Sequence, residues 1–166
     1  MDSQCPICNT KNLICRVATL KIPYFGEILQ ITTLCNSCNY RHADILTTTS
    51  KEPVRYEYKI SSERDMIVRV VRSSSGIIKI PELGVTIEPK VSGEAFVSNV
   101  EGVLERVKSI ALQLAESENS PKARVIIDRI ERLKRGEEKA TLIIEDPLGN
   151  SAIISKKAKK TKLPSD

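Results

Sequence analysis

Two cysteine pairs, Cys5-Pro6-Ile7-Cys8 and Cys35-Asn36-Ser37-Cys38, organise this chain of 166 residues. Each pair is a C-x-x-C turn that aims two sulfur atoms at one point, and 26 residues lie between the pairs. Two such turns placed face to face form a tetrahedral cage of four thiolates, which is the geometry of structural Zn²⁺ sites without an open coordination position. The interval is long enough for two strands to run out and back. The spacing therefore predicts a zinc ribbon with one structural zinc ion, held by Cys5, Cys8, Cys35 and Cys38.

Two other uses of paired cysteines fit this chain less well. Structural disulfides belong to oxidising compartments, but no apolar signal segment follows Met1 and the cysteine count of five is odd. A redox-active C-x-x-C normally opens a helix after a strand, and neither pair stands in such a unit. No run approaches the roughly 20 apolar residues of a membrane span. We therefore expect reduced cysteines and a cytoplasmic protein without a membrane segment.

Two further residues of this segment are candidate metal ligands. Cys15 shares one face of a strand candidate, 13–22, with Leu13 and Val17, which favours a small buried hydrophobe over a ligand or nucleophile. His42 is the only histidine and follows Cys38 by four residues. Because four cysteines already fill a tetrahedral shell, we interpret His42 as a surface residue or as a residue behind the ligands.

The region after the second cysteine pair is rich in short strand patterns. Apolar and polar residues alternate from Val54 to Ile60, which predicts a half-buried strand. Further strand candidates follow between turn signals, and they suggest a sandwich or a barrel-like sheet. These candidates are 66–72, 77–80, 85–87, 141–145 and 151–154.

Two amphipathic helices interrupt the strands. Ser98 and Glu101 predict a capping box at the first helix, whose apolar residues recur at helical spacing from Val100 to Leu114. Ser120-Pro121 starts the second helix, and Gly136 ends it. We therefore expect a helical hairpin at about 98–136, inserted between strands of one β domain.

The chain thus divides into three predicted segments: a zinc ribbon at 1–47, a β domain at 48–155 and a basic tail at 156–166. The tail holds five lysines and one aspartate, and so carries most of the net charge of +5. We favour a disordered, solubilising tail. The same lysines are also suited to nucleic acid phosphates or to an acidic protein face.

Motifs for catalysis are missing from the sequence. The single histidine has no evident partner, and neither G-x-G-x-x-G nor G-x-x-x-x-G-K-[ST] occurs. The sequence therefore predicts a binding protein and no enzymatic activity.

Several short motifs, weak one by one, occur together in a specific order. They are Cys5-Pro6-Ile7-Cys8, Ile22-Pro23-Tyr24-Phe25-Gly26-Glu27, Cys35-Asn36-Ser37-Cys38-Asn39-Tyr40-Arg41, Ile80-Pro81-Glu82-Leu83, Val100-Glu101-Gly102-Val103-Leu104 and Asp146-Pro147-Leu148-Gly149-Asn150-Ser151. In this order they resemble the ZPR-type zinc-finger family over residues 5 to 154. Asn39 replaces the glycine that this family usually has, and asparagine tolerates the same left-handed turn.

The resemblance implies a fold and a function. The implied fold is mainly β: a zinc ribbon followed by a double-stranded β-helix, a barrel-like domain, with the helical hairpin inserted. The implied function is that of a binding partner or folding chaperone of translation elongation factor one alpha. This chain carries one module where eukaryotic members carry two, which suggests an archaeal source.

Aromatic and arginine side chains near the ribbon are the candidates for partner binding, because these residue types are enriched at the centres of interfaces. Packing of Phe25 and Tyr40 against the β domain is an equally open alternative. A second hypothesis for the function is a nucleic-acid or ribosome-associated protein that uses the basic tail. The candidate partner-binding residues are Tyr24, Phe25, Gly26, Glu27, Tyr40 and Arg41.

Overall fold

The computed structural model describes residues 4–23, 26–47, 51–89 and 95–163, and the chain divides into two units, Met1–Ser50 and Lys51–Asp166. The first unit is an antiparallel sheet of three strands in the order β1-β2-β3. Strands β1 and β2 pair at every residue, from Leu13 opposite Cys35 to Ile22 opposite Gly26. The predicted zinc-ribbon topology is therefore confirmed. The strands are β1 (Leu13–Ile22), β2 (Gly26–Cys35) and β3 (Arg41–Thr47).

The second unit contains two antiparallel sheets. Its strands are β4 (Val54–Ile60), β5 (Arg69–Arg72), β6 (Ile77–Ile80), β7 (Val85–Ile87), β8 (Phe96–Asn99), β9 (Ala140–Asp146), β10 (Ala152–Ile154) and β11 (Lys159–Lys162). One sheet has the order β11-β4-β9-β6-β7 and the other β10-β5-β8. The described strands thus form two open sheets rather than one closed barrel. The predicted fold class, mainly β with a helical hairpin, is confirmed.

The core of the second unit takes side chains from both sheets and both helices. The alternation predicted for β4 is present, because Tyr58 and Ile60 are fully buried while Lys59 between them is exposed. The other fully buried large side chains of the unit come from strands β5, β6 and β9 and from the helical hairpin. They include Val70, Ile78, Ile80, Leu104, Ile130, Leu133, Leu142 and Ile144.

The hairpin consists of helix α1 (Val100–Ser117) and helix α2 (Pro121–Lys134). The predicted cap of α1 at Ser98 is wrong: Asn99 is the N-cap and accepts a hydrogen bond from the N–H of Gly102 at 2.8 Å. The reason is that Ser98 lies within β8, opposite Val70. The predicted cap of α2 at Ser120 is present.

The apolar stripe of α1 is only partly buried. Val103 and Val107 lie in the core, whereas Ile110 and Leu114 near the end of the helix are 51% and 41% exposed. Helical spacing predicts which side of a helix is apolar but not how far the rest of the domain reaches along it.

The strand candidate at 66–72 begins too early. A short 3-10 helix, Glu63–Ile67, precedes β5, and Asp65 within it is buried. The Asp65 carboxylate accepts hydrogen bonds from the Tyr58 hydroxyl at 2.5 Å and from the N–H groups of Ser61 and Ser62, each at 2.9 Å. These local bonds hold the chain in a helical turn that includes Met66 and Ile67, the first two residues of the predicted strand.

The prediction of a disordered tail is also wrong. Lys159–Lys162 is strand β11, which pairs with β4 so that Lys160 lies opposite Tyr56. Ala158 packs against the core just before it. An exposed edge strand rich in lysine has the same composition as a disordered basic end, because lysine is a common means of keeping edges from pairing further.

Candidate metal centre

The two cysteine turns have the same backbone structure. The N–H of Asn9 donates to the carbonyl of Cys5, and the N–H of Asn39 donates to the carbonyl of Cys35, each at 2.9 Å. Asn9 and Asn39 have φ angles of 57° and 58°, so both occupy the left-handed region. Asparagine enters this region more readily than most residues that carry a Cβ. The expectation that Asn39 tolerates the turn is therefore confirmed, and Asn9 does the same in the first turn.

The turns bring the four cysteine sulfur atoms to one point. All four Sγ atoms lie within 4.8 Å of one another. The Sγ atoms of Cys5 and Cys38 are 3.6 Å apart, and those of Cys8 and Cys35 are also 3.6 Å apart. A tetrahedral zinc ion with Zn–S bonds of about 2.3 Å requires sulfur atoms about 3.8 Å apart. The donor set and its spacing fit one zinc ion.

Hydrogen bonds to the sulfur atoms favour ionised thiols. Burial raises the pKa of Cys35, but N–H groups of Cys38 and Ser37 and the hydroxyl of Thr10 outweigh it and lower this pKa to about 6. The Thr10 hydroxyl, 3.1 Å from the Cys8 Sγ atom, also lowers the pKa of Cys8. Zinc binds the thiolate form, so this environment favours metal binding.

The last thiol of the cage ionises with difficulty. The N–H of Tyr40 lowers the pKa of Cys38, but burial and the three neighbouring cysteine sulfurs outweigh it and raise this pKa to about 12. Four negative charges in one small volume repel each other strongly, and a divalent cation at their centre removes this repulsion. The cage is therefore suited to a cation.

A polar contact joins the two turns beside the cage. The Asn12 side-chain amide donates to the Ser37 hydroxyl at 2.8 Å, and the Asn36 N–H donates to the Asn12 carbonyl at 3.2 Å. These bonds fix the first turn on the second, and sequence reasoning did not find them. A short polar residue between a cysteine turn and a strand is too common to signal such a role.

The two other candidate ligands lie apart from the cage. Cys15 is exposed, so the prediction that it is a buried hydrophobe is wrong. Strand β1 has exposed residues on both faces, and its alternation therefore does not identify a buried side. His42 is exposed, as interpreted, and its ring stacks on that of Tyr40 with 6.4 Å between centroids and an interplanar angle of 8°.

Those candidate partner-binding residues that the structure describes lie at two separate places on the ribbon. Gly26, with φ of 74°, and Glu27 are exposed at the start of β2, whereas Arg41 pairs with Leu34 at the other end of that strand. Eight residues of strand separate Gly26 from Leu34, which corresponds to about 27 Å. Tyr40 is half-buried and Arg41 is exposed. The remaining two candidates, Tyr24 and Phe25, lie outside the described residues.

These features define the class of protein: a four-cysteine zinc ribbon followed along the chain by a two-sheet β domain with a helical hairpin. Comparison with known families agrees with this class. The family model of the ZPR1 zinc-finger domain matches residues 1–52, and that of the ZPR1 jelly-roll domain matches residues 64–164. The chain belongs to the ZPR1 family, its β domain is a jelly roll, and its metal cofactor is zinc.

Relatives from archaea are similar over most of their length. A ZPR1-like protein of Methanocaldococcus jannaschii is 50% identical over 155 residues, which cover 90% of this chain and 78% of the relative. A ZPR1-like protein of Pyrococcus horikoshii is 44% identical over 167 residues, with 96% and 75% covered. The zinc finger protein ZPR1 of Drosophila melanogaster is 30% identical over 161 residues, but this match covers 92% of the chain and only 35% of the relative. The chain thus spans about a third of this eukaryotic relative.

Within residues 4–23, 26–47, 51–89 and 95–163, no helix has the length and apolar character needed to cross a membrane.

Proposed function

We propose that this protein is a cytoplasmic, non-enzymatic binding module that recognises translation elongation factor one alpha and assists its folding. The observation that carries the proposal is the closed metal centre. Four thiolates fill a tetrahedral shell, so the zinc has no free position for a substrate and serves to hold the ribbon rigid. A rigid ribbon with exposed side chains is suited to binding another protein. A relative from Schizosaccharomyces pombe, 27% identical over 157 residues, is named a zinc finger chaperone.

The contacts we assign to the partner lie at both ends of the ribbon. One group is Tyr40 and Arg41, next to the second cysteine turn, and the other is Gly26 and Glu27 at the start of β2, with Tyr24 and Phe25 preceding them in the sequence. Tyrosine and arginine contribute strongly to binding energy when they are desolvated at an interface. A partner that contacts both groups has to extend along the whole ribbon.

The proposal is tested by titrating the zinc-loaded chain into purified elongation factor one alpha from the same source organism, at low and at high salt. We expect binding that persists at high salt. Arg41→Ala combined with Tyr40→Ala should weaken binding by about tenfold or more, as replacement of central interface residues does. Zinc content and melting temperature should stay unchanged, because Arg41 is exposed and the Tyr40 carbonyl that accepts from Cys35 belongs to the backbone.

A matched control is Lys139→Ala, an exposed charge on the second unit. It should leave the affinity unchanged. Absence of binding by the unmodified chain would reject the elongation factor as its partner. A loss of zinc or of thermal stability in the double variant would instead assign Tyr40 and Arg41 to the packing of the ribbon.

A second candidate function is nucleic-acid binding, and the order of the tail favours it. Strand β11 holds Lys159, Lys160 and Lys162 exposed along one edge of the five-stranded sheet. Lys160 and Lys162 point to one face of the sheet and Lys159 to the other. Because the strand fixes the backbone of these lysines, binding phosphates costs less conformational entropy than it does for a disordered tail.

This candidate is tested with a single-stranded RNA probe over a range of salt concentrations. Deletion of the tail is a poor test, because it also removes a strand from the sheet. Replacing the three lysines of β11 by threonine keeps a strand-forming sequence and removes only the charge. Binding that falls steeply with salt and is lost in this variant supports the candidate. Unchanged binding in the variant, or no binding by the parent chain, rejects it.

A further inference from the structure

The outer edge of strand β1 has the features of a binding site for another strand. Among the described strands, β1 pairs only with β2, so its other edge faces outward. The N–H of Asn36 donates to the carbonyl of Asn12, which lies just before β1. Bonded and non-bonded pairs alternate along an antiparallel ladder. The odd-numbered residues of β1, from Leu13 to Lys21, therefore point their N–H and C=O groups away from β2.

The same conclusion follows from the other side of β2. The N–H of Cys35 donates to the carbonyl of Tyr40, so Cys35 directs its backbone groups toward β3 and away from its β1 partner Leu13. Both observations therefore identify the same residues of β1 as those whose backbone groups are not bonded to β2. Leu13, Cys15, Val17, Thr19 and Lys21 thus present an ordered row of backbone donors and acceptors.

The side chains of this edge are exposed on both faces of the sheet. All residues from Ile14 to Lys21 are exposed, and three large apolar side chains are among them. Val17 is 61% exposed and lies opposite Ile31, whereas Leu20 and Ile14, on the other face, are 41% and 38% exposed. A strand laid along this edge would cover apolar surface above and below the sheet.

The edge has few of the features that prevent strand pairing. Natural proteins protect exposed edges with proline, bulges, short strands or charges. Strand β1 has ten residues, no proline, and an unbroken register with β2. Its charges are Arg16 and Lys21, and it contains no acidic residue. The edge is thus long, regular and basic.

We propose that β1 binds an extended segment of a partner protein, which joins the ribbon as a fourth strand. The occupant is an apolar strand with acidic residues, because it has to cover Val17 and Leu20 and to face Arg16, whereas Lys21 already has Glu27 of β2 opposite it. This inference rests on the proposed function, since it assigns the binding mode of the protein partner. Strand β1 also spans the distance between the two groups of candidate partner-binding residues, so one bound strand connects them.

A second copy of this chain is a poorer occupant of the same edge. Pairing two copies of β1 would bring together two strands that carry only basic charges, and like charges across a ladder are unfavourable. Strand addition to a partner uses main-chain hydrogen bonds for affinity and alternate side chains for specificity. An acidic, apolar strand satisfies both requirements here.

The first experiment measures amide hydrogen exchange of the zinc-loaded chain, by NMR, with and without elongation factor one alpha. We expect the outward-facing N–H groups of Val17 and Thr19 to become protected at least about tenfold in the complex. The N–H groups of Arg16 and Ala18 already bond to β2, so they serve as internal controls and should change little. Binding without new protection at Val17 and Thr19 overturns the strand-addition proposal and leaves the proposed function intact. No binding overturns both.

The second experiment uses variants of the edge. Val17→Pro removes an outward N–H without removing a bond to β2, and it should abolish binding, whereas Val17→Ile keeps the N–H and should bind as the parent does. Retained zinc and retained amide protection in β2 and β3 show that the ribbon of the proline variant is folded. If it is not folded, the charge reversal Arg16→Glu with Lys21→Glu provides the same test and should weaken binding by about tenfold at low salt. Full affinity in a folded variant overturns the proposal, as does a dimer of the chain alone with protected Val17 and Thr19.

Discussion

Two glycines with positive φ differ in what surrounds them. Gly84 has φ of 64° and open space where a Cβ would lie, whereas Gly149 has φ of 69° and its Cβ would collide with the backbone carbonyl of Glu52. We expect Gly84→Ala to lower the free energy of unfolding by about 1 kcal/mol, the cost of a left-handed residue with a side chain. Gly149→Ala should lower it by at least about 3 kcal/mol, because backbone must also move. Urea unfolding of both variants measures the difference.

Gly84→Ala is the control for conformational strain alone, since both variants introduce the same methyl group at a similar φ. Equal losses in the two variants would contradict the structure around Gly149.

The turn that contains Gly149 is also held by Asp146, which is fully buried and accepts hydrogen bonds from the hydroxyls of Ser73 and Ser151, each at 2.6 Å. Sequence predicts the turn, but Ser73, which donates one of these two hydroxyl bonds to the carboxylate, comes from a distant part of the chain.

The buried carboxylate of Asp65 predicts a loss of stability in acid. Burial raises the pKa of Asp65, but the Tyr58 hydroxyl and the N–H of Ser61, together with nearby serine hydroxyls, outweigh it and lower this pKa to about 2. The unfolded chain has a pKa near 3.8. The stabilising contribution is therefore complete above pH 4 and is lost as pH falls toward about 2. A difference of this size corresponds to about 2 kcal/mol.

Urea unfolding between pH 6 and about pH 2 measures this loss. Tyr58→Phe is the matched variant: it removes the hydroxyl that donates to Asp65 at 2.5 Å and should bring the pKa of Asp65 closer to its ordinary value. The stability of Tyr58→Phe should then fall less steeply with acid than that of the parent. Parallel curves for the two proteins would rule out this role of the Tyr58 hydroxyl.

The zinc ribbon as an element depends on four of the five cysteines. Cys38→Ser removes a ligand from the cage and should abolish stoichiometric zinc binding and with it the order of the ribbon, because metal binding and folding are coupled in small zinc modules. Cys15→Ser is the matched control, since Cys15 is exposed on β1. It should bind one zinc ion per chain with unchanged affinity, measured by metal analysis and chelator competition.

The opposite result, zinc lost in Cys15→Ser and kept in Cys38→Ser, would place the metal elsewhere than the cage.

Strand β1 shows where the periodicity of the sequence does not predict burial. Strand β1 was predicted from its alternation, and it exists, but neither of its faces is buried. The position of Cys15 on the same strand face as Leu13 and Val17 therefore does not predict that its side chain is buried. Sequence patterns report which side of a strand could be buried, and the neighbouring elements decide whether it is.

At the scale of the whole molecule, the lysine-rich end of the chain belongs to the folded domain. Strand β11 covers the edge of β4, and the N–H of Leu163 donates to the carbonyl of Pro53 at 3.1 Å. Ending the chain after Ser155 should lower the free energy of unfolding of the second unit by about 2 kcal/mol, from lost strand hydrogen bonds and exposed β4. Thermal or urea unfolding of the shortened chain measures the change.

The control is the full-length chain with Lys159, Lys160 and Lys162 replaced by threonine. It removes the charge but keeps the strand, and its stability should match that of the parent because the exposed Lys162–Glu52 pair contributes little. If the shortened chain is as stable as the parent, the tail does not stabilise the domain, and the disordered tail that the composition suggests is the better description.

The amino-acid sequence by itself determined the metal site, the ribbon, the mainly-β class and the helical hairpin. These features depend on local spacing: two residues between the cysteines of each turn, alternation along strands and helical periodicity between Val100 and Leu114. Only the tertiary structure decided that the tail is a strand, that Asn99 rather than Ser98 caps α1, and that Cys15 is exposed. The physical reason is the same in each case. Each outcome depends on which distant residues pair with a segment or cover it, and composition near the residue does not encode those contacts.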